Sequence, residues 1–145
     1  MTLLSAMLSL ILSTQAAAEP RTVTIGVDNT MKYSVTAIKA QPGETLRVVL
    51  QSKATLPKQT TAHNFVLLAQ GTNAGALLKA GTANKNTDYI APDQKDRVIA
   101  ATAMAGPGET VEVTFKVPDR PGTYEFICTF PGHYALGMKG TLTVR

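Results

Sequence analysis

Apolar and polar side chains alternate along most of this chain. In the run 22–27, Val23, Ile25 and Val27 share one face while Thr22, Thr24 and Gly26 take the other, the period of a half-buried β-strand. The Asp28-Asn29-Thr30 turn leads to Met31 and a second extended run, 33–40, closed by Gln41-Pro42-Gly43. Leu46, Val48 and Leu50 repeat the same period in a third. From His63 to Leu68 the chain is almost continuously apolar, which predicts a strand covered on both faces. Residues 97–104 read as a further strand. After the Gly106-Pro107-Gly108 turn, Val111, Val113, Phe115 and Val117 alternate with Thr110, Glu112, Thr114 and Lys116 more cleanly than anywhere else. Past 118–122, Tyr124, Phe126 and Cys128 fall on one face, so Cys128 points inward at its strand's end. Leu142 and Val144 face the core in the final run.

Two stretches break the pattern. Between Ser52 and Thr61 the chain turns polar around Leu56-Pro57, an exposed loop leading into His63. In 70–96, Ala74, Ala76, Leu77, Leu78 and Ala80 favour a short helix, while Gly81, Asn84 and Asn86 favour loop. This predicts an inserted flap with one or two helical turns. Seven or eight strands separated by turn signals, without internal repeat, predict an all-β chain folded as a β-sandwich.

The chemistry gathers just before the last strand, in Cys128-Thr-Phe-Pro-Gly-His133-Tyr-Ala-Leu-Gly-Met138. The single cysteine is followed by an imidazole and a thioether, with Pro131 and Gly132 supplying the bend. His63, the only other histidine, supplies a second imidazole. Taken singly these are ordinary residues: a lone cysteine is most often a small buried hydrophobe, and a methionine after a turn usually fills core. Together, two His, one Cys and one Met make the donor set of a blue-copper centre. Zinc is the rival metal, since it also takes His and Cys, but a thioether is a poor zinc ligand.

These residues resemble the cupredoxin (type 1 blue-copper) family and, within it, are most similar to the azurins. Cys-Thr-Phe-Pro-Gly-His and Met-Lys-Gly-Thr-Leu-Thr carry the likeness. It continues through Leu56-Pro57-Lys58, His63-Asn64-Phe65-Val66-Leu67, Asp88-Tyr89, Pro92-Asp93 and Arg97-Val98-Ile99-Ala100. The resemblance implies a Greek-key sandwich binding one copper per chain through His63, Cys128, His133 and Met138. It also implies the Ala62 carbonyl as a weak axial contact and Asn64 as a brace near the thiolate. Three features depart from the azurin pattern. Gly137 gives the longer His-to-Met gap found in auracyanin-like and plastocyanin-like members. Phe65 stands where some azurins carry Trp. With one cysteine the chain cannot form the azurin disulfide, a staple of about 2–4 kcal/mol.

Composition narrows the function. At 145 residues, 44% hydrophobic and 17% charged, the chain has enough length for one buried core. The net charge is +4 and the pI about 9.3, but the basic residues are scattered without aromatic interleaving, which disfavours nucleic acid. Residues 1–18 carry no charged side chain, run apolar from Leu3 to Leu12 and end in three alanines. They read as a secretory signal peptide without the usual basic start, leaving 19–145 as a single exported domain, periplasmic in a bacterium. In an oxidising compartment, metal ligation gives a solitary cysteine a reason to exist.

The expected function is outer-sphere electron transfer, not catalysis. The resemblance implies redox-protein partners, such as c-type cytochromes or a copper or haem reductase, docking near His133 beside Phe130, Pro131, Tyr134, Ala135, Leu136 and Leu56. A copper carrier would want exposed Met- or His-rich ligands, and only five methionines exist, two of them in the leader. A Cys-His nucleophilic enzyme lacks a visible acid or oxyanion partner, and a multicopper oxidase needs more histidines than two.

Overall fold

The computed structural model describes residues 18–145; the expected signal peptide lies outside them except for Ala18. The described residues form eight strands: β1 Arg21–Val27, β2 Ala37–Ala40, β3 Thr45–Ser52, β4 Val66–Leu68, β5 Val98–Ala101, β6 Thr110–Lys116, β7 Gly122–Ile127 and β8 Lys139–Val144. One helix, α1 (Ala74–Gly81), follows β4. A three-stranded sheet runs β1-β3-β6 and a five-stranded one β2-β8-β7-β4-β5. β1 pairs parallel with β3, and β2 parallel with β8; the remaining pairs are antiparallel. The main core lies between the sheets. Ile25, Leu46, Val48 and Leu50 of the smaller sheet meet Ile38, Leu67, Phe126, Leu142 and Val144 of the larger. This is the two-sheet β-sandwich that the alternation predicts, in the form the family resemblance implies.

Phe126 sits at the centre, its ring 5.4 Å from Tyr33 and 5.0 Å from Phe65. It lies flat over Gly140, where an added Cβ would stand 2.2 Å from the Phe126 ring, so the last strand must carry glycine there for the aromatic to fit.

Several predicted strands are shorter than their apolar patterns. Of 33–40 only Ala37–Ala40 enters a ladder. Upstream, Gly26 N–H donates to the Ser34 hydroxyl and Tyr33 makes one bridge to Val27, which holds the chain as it passes from one sheet to the other. Of 63–68 only Val66–Leu68 is regular. Before it, Phe65 N–H donates to the Thr102 side chain and His63 forms a single bridge with Ala105. The clean alternation of β6 marks partial burial rather than depth, because β6 is an edge strand and its Val111, Val113 and Phe115 are only half-buried.

The apolar outer face of β4 has its own cover. Val66, Leu68 and Ile127 pack under Ala74 and Leu77 of α1. The Asn73 side chain caps this helix by accepting from Ala76 N–H at 2.9 Å, satisfying one of the free first-turn donors. The helix ends at Gly81, where a Cβ would fall 1.9 Å from the Tyr89 carbonyl, so the flap folds back onto its own helix through that glycine. Two 3₁₀ turns, Lys85–Thr87 and Pro92–Arg97, complete it. Between them Asp88 and Tyr89 both take left-handed backbone, at φ 53° and 59°.

Candidate metal centre

Sheet pairing brings the four sequence-predicted ligand residues to one end of the sandwich. β4 and β7 run antiparallel with Val66 opposite Ile127, and β7 and β8 with Ile127 opposite Lys139. The residues just before β4, just after β7 and just before β8 therefore converge. Neither His63 nor Cys128 lies within a regular strand: His63 belongs to the bridge with Ala105 and Cys128 follows β7 directly. The ligating atoms of His63, Cys128 and His133 all lie within 4.8 Å of one another, and all three residues are buried. Cys128 Sγ is 3.5 Å from His133 Nδ1 and 3.9 Å from the Ala62 carbonyl oxygen. The two imidazole centroids are 4.9 Å apart.

Met138 is fully buried and shares the main core with Cys128. Its main chain is held from both sides, since Met138 N–H donates to His133 O at 3.0 Å and Cys128 N–H donates to Met138 O at 3.3 Å. The longer loop is accommodated by Gly137, whose N–H reaches Tyr134 O at 2.9 Å and whose φ is 88°, a region that favours glycine. The Lys32 ammonium donates to Leu136 O and fastens the loop's outer edge.

The electrostatics of these groups suit a metal better than protons. Burial pushes the Cys128 thiol up to about 11, against the opposing pull of the Asn64 and Phe130 N–H groups aimed at the sulfur. Burial lowers His133 to about 4, with His63 adding to it. His63 is also lowered by burial, which Asp28 offsets in part. Both ring nitrogens of His63 are buried without a hydrogen-bond partner, a cost that a metal accepting the ring's lone pair would relieve at one of the two. Two neutral imidazoles and a thiol whose proton a bound cation displaces to solvent fit copper. A sulfur that is 0% exposed, with a raised pKa, does not fit a free nucleophile, which needs thiolate character and access.

Asn64 is tied to the far side of the site in a way the sequence left open. Its Nδ2 donates to Thr129 Oγ1 at 2.8 Å and its Oδ1 accepts from Thr129 N–H at 2.9 Å. The Thr129 hydroxyl donates onward to Asp88 O at 2.6 Å, and Tyr33 O–H donates to Asn64 O at 2.6 Å. Thr61 Oγ1 lies 3.4 Å from His133 Nε2. Sequence reasoning missed Thr129, Tyr33 and Thr61. The signal for Thr129 was its place next to Cys128, but its pairing with Asn64 emerges only from the antiparallel register.

The shifted histidines give a prediction for the copper-free protein. Their folded pKa values lie below the unfolded ones, so between pH 6.5 and about 4 the unfolded chain binds more protons and stability falls as pH falls. Urea midpoints of the metal-free protein should drop between pH 7 and pH 5, before most carboxylates titrate. His133→Gln should flatten that slope; an equal slope in the variant would refute the assignment.

A family model described as copper binding proteins, plastocyanin/azurin family, matches residues 21–145. Azurin of Pseudomonas aeruginosa is 38% identical over 142 residues, covering 96% of this chain and 94% of that protein. Auracyanin-B of Chloroflexus aurantiacus is 48% identical over 84 residues, 57% of this chain but 35% of that longer protein. The solved structure of auracyanin A, a "blue" copper protein of the same bacterium, superposes with a TM-score of 0.78. It has 32% sequence identity and covers 88% of this chain and 100% of that one. With its site geometry, its sandwich and these relatives in agreement, the chain belongs to the plastocyanin/azurin family of copper-binding proteins.

Proposed function

We propose that this protein is a blue-copper electron-transfer protein, an azurin-like shuttle between redox partners, in which His63, Cys128, His133 and Met138 hold one copper ion. Copper supplies the one-electron Cu(II)/Cu(I) couple. The chain supplies a fixed set of donors: two neutral imidazoles, a thiolate that the Asn64 and Phe130 N–H groups stabilise, a buried thioether, and the Ala62 carbonyl nearby. The observation that carries this reading is that the donor atoms of His63, Cys128 and His133 stand together inside a hydrogen-bonded frame. Little then has to move when charge changes, and partners of the ligands set their orientation.

His133 is the partner-side ligand in this reading. Its ring packs on Phe130 at 4.7 Å, and the loop around it carries Leu136, 54% exposed, with Leu56 at 40% on the 53–60 loop. These are the large apolar side chains left in solvent among the described residues, and such side chains let a partner approach closely. The proposed architecture is a signal peptide over 1–18 and a single domain over 19–145, a division supported by a family match that begins at residue 21. The apolar leader favours a periplasmic protein. Among the described residues, no helix is long and apolar enough to cross a membrane.

The test is electron self-exchange in a mixture of reduced and oxidised copper-loaded protein, followed by NMR line broadening. Leu136→Lys has no ligating atom and should leave the visible spectrum in place, while self-exchange falls roughly tenfold through like-charge repulsion at the contact. An unchanged rate in a folded, blue variant would remove the docking role from this loop. A copper carrier would show slow exchange in both forms.

A further inference from the structure

The helical flap over 70–96 supplies none of the proposed metal donors, yet two of its lysines flank the aromatic that packs against His133. Two clefts open on either side of Phe130. One, of about 230 Å³, is floored by Ala62, Tyr89 and Met104 and edged by Lys58 and Lys85. The other, of about 270 Å³, runs between α1 and the ligand loop and is edged by Lys79. Phe130 forms a wall of both, and it is the ring packed at a tilt against His133. Tyr89, held by its left-handed backbone, meets the Phe130 edge at 5.6 Å.

Lys58 is neutralised by Glu109 at 2.7 Å. Lys79 and Lys85 are exposed and have no carboxylate within ion-pair distance among the described residues. Among the described residues Lys39, Lys95 and Arg97 are in no ion pair either, so what sets Lys79 and Lys85 apart is their place at the edges of the clefts beside Phe130. Asp88 is the one carboxylate that lines either cleft.

We propose that the flap forms half of a docking face, and that Lys79 and Lys85 on either side of Phe130 receive an acidic surface of the protein that exchanges electrons with this one. This rests on the electron-transfer reading and places its partner to one side of the loop tip, over Phe130. Apolar-walled clefts edged by cations suit the side chains of an acidic protein: a carboxylate reaches each lysine while its neighbours enter the cleft, and opposite charge steers the encounter.

Copper-loaded protein answers the question with hexacyanoferrate(II), a polyanion that gives one electron to the oxidised site and becomes hexacyanoferrate(III). At low ionic strength Lys79→Glu and Lys85→Glu should each slow this reduction by roughly tenfold, and Asp88→Asn, which tolerates the left-handed backbone, should speed it. Lys39→Glu makes the same charge change on β2, toward the opposite end, and should alter the rate less than about twofold. The differences should vanish near 1 M salt, where the screening length is about 3 Å. Poly-L-glutamate, standing in for an acidic protein surface, should shift the amide resonances of 79–89 and 130–135. If Lys39→Glu slows reduction as much as the flap variants, or if poly-L-glutamate shifts resonances only around Leu56 and Leu136, the placement is overturned. Binding to phosphatidylglycerol vesicles with no poly-L-glutamate response overturns it in favour of a membrane. Failure of the copper-loaded parent to exchange an electron with hexacyanoferrate in either direction, the oxidised protein with hexacyanoferrate(II) or the reduced protein with hexacyanoferrate(III), at any salt, overturns the electron-transfer reading as well, and is a different result from the others.

Discussion

Replacing Cys128 with serine is expected to abolish the intense visible absorption that Cu(II) gives the parent protein. That absorption arises from charge transfer between a thiolate and the metal, and the other donors in the cluster are imidazoles, a thioether and a carbonyl. A serine hydroxyl is a hard, weak donor that stays protonated at neutral pH, so the variant loses colour and much of its affinity. A second readout separates this from misfolding. Ligand that binds only the folded state stabilises it, by about 4 kcal/mol at a thousandfold excess over Kd, so copper should raise the parent's unfolding midpoint and leave the serine variant's near its metal-free value. Far-ultraviolet circular dichroism should match in the two metal-free proteins. A serine variant that remained blue would place the thiolate ligand somewhere other than the only cysteine in the chain, which is impossible on this sequence and would overturn the centre altogether.

The second large effect is expected at Asn64, which touches no metal in this reading. Asn64→Ala removes the pair of hydrogen bonds to Thr129 and leaves the buried Thr129 N–H without its acceptor. Stranding such a donor costs roughly 1–3 kcal/mol. The segment before β4 and the segment after β7 are then free to shift against each other, and with them His63 and Cys128. Loss of an orienting partner around a metal ligand costs about 10–100-fold in affinity, so the variant should bind Cu(II) and turn blue but release it faster to a chelator. Asn64→Asp keeps the Oδ1 acceptor but sets a buried carboxylate oxygen against the Thr129 hydroxyl oxygen, whose proton is already given to Asp88 O, so it should not recover the stability. If Asn64→Ala held copper as firmly as the parent, the Asn64–Thr129 pair would be a packing contact and nothing more.

Most of the architecture was legible because the two-residue period survives in Ile25, Val27, Leu46, Val48, Leu50, Tyr124, Phe126, Leu142 and Val144, all of them buried. The donors were legible for a different reason: one cysteine and two histidines leave no choice of partners. What the sequence hid depends on pairing. The Thr102 and Ser34 hydroxyl oxygens accept from the backbone N–H groups of Phe65 and Gly26 in place of ladder carbonyls, so runs that look like six- to eight-residue strands are regular over only three or four. The Tyr33–Asn64–Thr129–Asp88 chain of bonds links four separate segments, and no local spacing encodes that. The flap's two left-handed residues, Asp88 and Tyr89, carry no glycine to announce them.

The strand order also governs when the centre comes into being. β8 is the last strand in chain order, yet it lies inside the larger sheet, between β2 and β7, and β2 has no other partner in that sheet. A nascent or translocating chain can therefore zip β1, β3 and β6 together while β2 waits unpaired. The larger sheet, and with it the juncture of Cys128 and Met138, closes only when 139–144 arrives to fill the gap. Closure of the larger sheet thus depends on pairing β2 with β8, contacts between distant parts of the sequence of the kind that slow folding. Trimming β8 by a few residues would disperse the ligands as effectively as mutating one of them, although none of the four would have been touched.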